Sequence, residues 1–339
     1  MKISFHGAAG MVTGSKHLIT LENNHKLLLD CGMFQGFGKE TYELNQFFGF
    51  KPHEVDYLFL SHAHIDHSGL IPALVKEGYK GKIYCTAPTK AIARLVLLDS
   101  AKIQEEEAER ANKEEYSKHE QAEPLYTVEQ AEAVTPFFKI IAPDTAVEIA
   151  EGITAVFQNA GHIIGACSIT VNAEAKTLVF SGDIGRDDDV LMFPPQKPKK
   201  ADYVFLESTY GNRLHPQTNA LLELETIINN TFNKGGTVVI PSFAVERVQT
   251  MMYLIWQLKK EERIPNIPYI IDTPMGISVL DVFQDNRTWH KLSFEDCYEM
   301  CKVFTLISDY KDSMNAVYDK KPKVVIAASG MITGGRVLS

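Results

Sequence analysis

The chain of 339 residues is short of positive charge: 34 lysines and arginines against 43 aspartates and glutamates leave a net charge of −9. That balance disfavours a protein that coats nucleic acid with a broad basic surface. It leaves room for a local basic cleft, or for a bound cation that supplies the charge instead. Cysteine is scarce: five are scattered along the chain, an odd number, with no Cys-x-x-Cys pair. Such usage argues against a disulfide framework and for a reducing compartment. No stretch approaches the ~18 apolar residues of a membrane span. The opening MKISFHGAAGMVTGSKH has no apolar run of signal-peptide length. A cytoplasmic chain with no membrane contact is the expectation. Internal repeats and low-complexity tracts are absent too.

What is present is ample core material, 45% apolar residues, in a chain long enough for two domains. The first third reads as strands: KISFHG, then KHLITLE and KLLLDCG joined by the turn residues NN, then VDYLFLSH, whose unbroken apolar run suggests burial on both faces. HSGLIPALVKEG has helical spacing and stops at Gly78. After KIYCTAP, residues 89–115 read as a helix whose acidic middle, KIQEEEAER, is a solvated face. AVEIA, ITAVFQNA, CSITVN and KTLVFSGD form a second, antiparallel set. PPQKPKK is a linker-like loop. From about residue 208 the texture changes. Helices near 217–233, 245–262 and 309–320 alternate with the short apolar strands GTVVIPSF, PYIIDTP, KVFTLI and PKVVIAASG, the pattern of a parallel, doubly wound α/β sheet.

Chemistry concentrates in SHAHIDHSGL, residues 61–70, where His62, His64, Asp66 and His67 crowd the end of a strand. Imidazoles and a carboxylate so close together are costly to bury unless they share a cation, and these ligand types suit a borderline metal such as zinc. Three more strands end in a ligand-type residue beside glycine: Asp30 in LLLDCG, His162 in FQNAGH and Asp183 in VFSGD. Each alone reads as a turn residue; together and in this order they read as one site.

SHAHIDHSG, with AGH at 160–162 and SGD at 181–183, resembles the metallo-β-lactamase superfamily. That resemblance implies an αββα sandwich with a metal site on its edge. It implies that His62, His64 and His162 hold one zinc, that Asp66 and His67 hold a second, and that Asp183 bridges the two. Asp66 would also orient the attacking hydroxide, and Asp30 would support the site from behind. VFLESTYGNRLH at 204–215 resembles the acidic motif of the β-CASP branch, with Glu207 as its acidic residue. PSFAVER and AASGMITGGR resemble segments of that branch's cap domain. Ser242, Arg247, Ser329, Gly330, Gly334, Gly335 and Arg336 would there meet the phosphates of a substrate. The implied division is a metallo-β-lactamase domain over 1–207 and a β-CASP cap over 208–339. The implied function is a metal-dependent phosphodiesterase acting on single-stranded RNA, cytoplasmic, with a homodimer as one possible assembly.

Members of this branch continue past GGR with a histidine general acid and a last histidine ligand. No histidine follows His290 here, so the resemblance implies a truncated chain, a weaker second metal site and impaired cleavage. Three alternatives stay open: a catalytically impaired RNA-binding scaffold, a DNA nuclease and, less well supported, a small-molecule thioesterase or lactonase. Retention of all six candidate ligands favours an enzyme lineage. His6, His17, His25 and His53 have no partners at ligand spacing and read as structural or solvent-facing, and Trp256, Met251 and Met252 as core.

Overall fold

The computed structural model describes residues 1–114, 121–214, 218–328 and 335–338. The chain divides into two compact units, Met1–Asp188 with Pro194–Thr209, and Asp189–Phe193 with Tyr210–Ser339.

In the first unit, β1 (Lys2–Phe5), β2 (His17–Thr20) and β3 (Lys26–Leu29) pair antiparallel. The expected hairpin between β2 and β3 turns at Asn24, whose φ is +67°, a conformation asparagine tolerates. Next come α1 (Thr41–Gln46), β4 (Tyr57–Phe59), α2 (Ile65–Ser68), α3 (Ile71–Lys76), β5 (Lys82–Cys85), α4 (Ala87–Lys113), α5 (Val128–Ala133) and β6 (Phe138–Ile140). β3 to β6 are parallel neighbours, so the sheet runs β1-β2-β3-β4-β5-β6. Leu58, Phe59 and Leu60 are wholly buried, as their unbroken apolar run suggests. Thr86 caps α4, which buries Ile92, Ala93, Leu97 and Ala101, while Glu106 and Glu107 of its acidic middle face solvent.

The second sheet contains β7 (Val147–Ala150), β8 (Ile153–Asn159), β9 (Cys167–Ala173), β10 (Lys176–Phe180) and β11 (Tyr203–Phe205). All pairs are antiparallel except β10 with β11. Ile153, Ala155 and Phe157 alternate inward along β8. Phe157 meets Phe59 of β4 with ring centroids 6.4 Å apart, so the sheets pack face to face as the two-sheet core of an αββα sandwich.

The second unit holds α6 (Ala220–Asn233), β12 (Val238–Ser242), α7 (Arg247–Lys260), β13 (Tyr269–Asp272), α8 (Pro274–Asp285), α9 (Phe294–Lys302), β14 (Thr305–Ile307), α10 (Tyr310–Tyr318) and β15 (Val324–Ala328). Its sheet is wholly parallel in the order β12-β15-β13-β14. The step from β12 to β13 and the return from β14 to β15 run in opposite directions. Right-handed crossovers therefore put α7 and α10 on opposite faces, a doubly wound module. α8 and α9 went unrecognised in the sequence. Among the described residues, no helix is long and apolar enough to cross a membrane, and the five cysteines are free.

Candidate metal centre

The centre is assembled from three loops of the first unit. The chain leaving β4 presents His62 and His64, and the short α2 that follows carries Asp66 and His67. The turn after β8 presents His162, and the turn after β10 presents Asp183. Two glycines allow these loops to touch. A Cβ on Gly32 would lie 1.6 Å from the Asp66 carbonyl oxygen, and one on Gly185 would lie 1.8 Å from that of Gly161. No side chain fits at either place.

Nε2 of His62, Nδ1 of His64, Nε2 of His162 and a carboxylate oxygen of Asp183 converge. His64 Nδ1 is 3.2 Å from His62 Nε2 and 3.1 Å from His162 Nε2. Asp183 Oδ2 is 3.8 Å and 3.5 Å from those two Nε2 atoms. One donor atom from each of the four residues falls within a mutual 4.8 Å. Donors bound at ~2.1 Å to one tetrahedral ion lie roughly 3.4 Å apart, so the set fits a single cation. The other oxygen of Asp183, Oδ1, lies 3.2 Å from His67 Nε2, which is 3.8 Å from Asp66 Oδ2. Asp183 thus turns one oxygen to the three-histidine group and one to the Asp66–His67 pair.

Hydrogen bonding fixes the tautomers. Asp30 is wholly buried at φ +57°, a strained conformation for a residue with a side chain. Its carboxylate accepts from Ser61 N–H at 2.7 Å, Ser61 Oγ at 2.8 Å, Ser15 Oγ at 3.4 Å and His67 Nδ1 at 2.6 Å. Ser61 gives its one hydroxyl proton to Asp30, so at 3.0 Å its oxygen accepts from His62 Nδ1. The Nε2 lone pair of His62 is left facing the cluster, whereas His67, with no metal bound, is protonated and donates from Nδ1 to Asp30 and from Nε2 to Asp183.

Burial, then the neighbouring His67 charge, pulls His62 well below the ordinary imidazole value. Burial and His162 lower His64 to about 4, and burial lowers His162. Burial also works against His67, but hydrogen bonds to Asp183 and Asp30 outweigh it and hold that imidazole well above its ordinary value. Burial opposes the Asp183 charge as well, yet the His67 bond and the surrounding imidazoles keep its carboxyl below the usual carboxylate range. Neutral, deprotonated His62, His64 and His162 are what a cation requires.

A pH prediction follows for chelator-treated protein. Groups depressed on folding contribute stability above their unfolded pKa and lose it as pH falls through the folded value; His67, raised, has the opposite sign and loses its contribution as pH rises. Three depressed imidazoles outnumber one raised. The unfolding temperature is therefore expected to drop as pH goes from 6.5 towards 4. A flat profile over that interval would contradict the assignment.

Beside the cluster a groove of about 530 Å³ runs past His67, Asp183 and Glu207. Phe5 and Phe205, from the outermost strands of the two sheets, meet along it with ring centroids 5.5 Å apart. Glu207 is half-buried, its N–H bonded to Ser181 Oγ at 3.0 Å and its Oε2 to Thr209 N–H at 2.9 Å.

In the second unit, Ser242 ends β12 beside Ala328 of β15. It is 2% exposed, and its hydroxyl has no hydrogen-bond partner among the described residues. Exposed Arg247 opens α7 after a tight γ-turn: its N–H donates to Val245 O, with Glu246 at φ +69°. Gly335 has φ +89°. Arg336 is already engaged, donating to Asp272 at 2.5 Å and to Ser308 O at 2.7 Å. Ser329, Gly330 and Gly334 lie outside the described residues. The sequence reading overlooked Ser15 and Ser61, which carry Asp30's support; their one signal is a serine at each strand boundary next to the histidines. His17 is buried between Phe5, Phe180 and Phe205.

Comparison with known proteins adds to this geometry. The family model of the metallo-beta-lactamase superfamily matches residues 14–227, and that of the Beta-Casp domain matches 248–339. Ribonuclease TTHA0252 of Thermus thermophilus is 34% identical over 347 residues, covering 100% of this chain and 75% of that protein. Endoribonuclease YSH1 of Candida glabrata is 30% identical, covering 97% of this chain and 43% of the relative. Among solved structures, a protein of unknown function from Enterococcus faecalis superposes with a TM-score of 0.52 at 11% identity, over 97% of this chain and 77% of that one. This last likeness is one of fold.

Proposed function

We infer that this chain, which belongs to the metallo-beta-lactamase superfamily in its Beta-Casp branch, is a metal-dependent phosphodiesterase that cleaves single-stranded RNA. The observation that carries the reading is Asp183, whose two oxygens face two separate histidine groups. In this proposal His62, His64 and His162 hold one zinc, Asp66 and His67 a second, and Asp183 both. Bound metal would supply a hydroxide at neutral pH and neutralise charge on the phosphoryl oxygens. The chain's own groups do the rest. Asp66 accepts a proton at its carboxylate and orients the attacking oxygen. Asp30 holds His67 in register through Nδ1. Glu207 borders the groove in which the scissile phosphate would lie. Ser242, whose buried hydroxyl has no partner among the described residues, and Arg247 would take phosphate oxygens in the cap, joined by Ser329, Gly330, Gly334 and Gly335. Arg336, whose guanidinium also donates to Asp272 and to Ser308 O, would stand with them. The 34% identity to a ribonuclease supports RNA as substrate.

The test is cleavage of end-labelled single-stranded RNA beside single-stranded DNA and a thioester. RNA is expected to be cut fastest, chelator to stop the reaction and zinc to restore it. Metal and RNA binding without cleavage would instead support a scaffold, and faster hydrolysis of the thioester a small-molecule enzyme.

A further inference from the structure

Lys16 lies in GSKHL, directly before β2, and is wholly buried. Its ammonium donates to the Gly32 carbonyl at 2.9 Å and stands 4.0 Å over the Phe34 ring. Among the described residues no carboxylate forms an ion pair with it. A buried cation without a counter-ion is costly, and an apolar side chain of like volume in such a place is often as stable or more so. Stability therefore gives no reason for a lysine here.

Its acceptor gives one. Gly32 follows Asp30 by two residues, and its turn interlocks with the turn carrying the histidines. Gly32 N–H donates to Ser15 O, Cys31 N–H to His67 O and Met33 N–H to Ile65 O, while Ser15 N–H donates to Asp66 O. Gly32 itself rests against the Asp66 carbonyl, where no Cβ fits. Every contact in this lock involves the Asp30–Asp66–His67 side of the centre. His162 stands on a separate loop, and Lys16 has no bond to it.

We propose that Lys16 is a positioning residue for the second metal subsite: its ammonium pins the Gly32 carbonyl and so sets the turn from which Asp30 aligns His67 beside Asp66. This rests on the two-metal reading above. The lysine touches none of the candidate ligands and acts through the backbone. Burial, against the partial offset of Cys31, pushes its pKa down to about 8, so the ammonium is the form present at neutral pH.

The experiment is a cobalt(II) titration of the whole chain followed by visible absorption, with thermal unfolding of the metal-free protein as the second readout. In Lys16→Met the first equivalent is expected to bind as in wild type. The second is expected to weaken about 10–100-fold, the usual cost of losing a group that orients ligands. The metal-free unfolding temperature should stay level or rise. Lys16→Gln, neutral but still a donor, should recover part of the second-site affinity. Wild type binding no cobalt would sink the metal reading itself. Wild type binding two while Lys16→Met binds both equally well would overturn only the role of Lys16. A metal-free Lys16→Met that unfolds well below wild type would overturn it as well, by making the residue structural, as would a Gln variant no better than Met.

Discussion

Asp183→Ala is expected to bring metal content to one equivalent or less and to lower RNA cleavage by at least about three orders of magnitude, roughly 4 kcal/mol of transition-state stabilisation. The carboxylate reaches two groups of ligands at once, at 3.5 Å from His162 and 3.2 Å from His67. Its loss removes a donor from each subsite and the negative charge that offsets repulsion between two cations. The fold should survive, because Asp183 is 28% exposed and its removal opens no apolar cavity. Metal analysis alongside circular dichroism checks both parts. Unchanged stoichiometry would count against sharing of this carboxylate.

Asp30→Ala should act through stability instead. Asp30 is 0% exposed and takes four hydrogen bonds from Ser15, Ser61 and His67. Truncation leaves those donors buried without an acceptor, and it leaves the protonated His67 imidazole without one of its two carboxylates. Removing one partner of such a pair costs ~3–5 kcal/mol. In a unit of this size that lowers the unfolding temperature on the order of 10 °C. Asp30→Asn keeps the backbone at φ +57°, which asparagine tolerates, and one acceptor for His67. It should lose less stability than Ala while still misplacing Ser61. Equal melting curves for wild type and Asp30→Ala would refute the supporting role.

The candidate ligands His62, His64, His162 and Asp183, which the structure brings together, were legible in the sequence as a set: each alone beside its glycine reads as a turn residue, and it is their combination and order that mark a site. The groups that aim them were not. Ser15 and Lys16, side by side, and Ser61 sit at the margins of apolar strands, where alternation makes a polar residue look solvent-facing. Lys16 lies just before β2 in an unbroken buried run, residues 14–19, which no alternation would announce. The ion pair of Arg336 was hidden for a similar reason: its partner Asp272 is 64 positions away, and nothing local announces the pairing. α8 and α9 were missed on different grounds. PMGISVLDVF is too evenly apolar to show a helical period, and α9 opens with a Ser293–Asp296 capping box, a weaker signal than the usual glutamate.

The short excursion at Asp189–Phe193 bears on how the molecule is made. Leu191 is 0% and Met192 1% exposed, and Met192 bridges to His290 while Lys291 N–H donates to Leu191 O. The ribosome delivers this apolar pair roughly a hundred residues before the segment whose backbone pairs with it. At typical elongation rates the gap is about 5–20 s. The first unit has nearly all its chain by then, so during that interval Leu191 and Met192 are an exposed sticky tether on a largely folded domain. Slow translation through residues 210–290 would lengthen the exposure, and the yield of soluble protein should depend on codon speed there more than anywhere upstream.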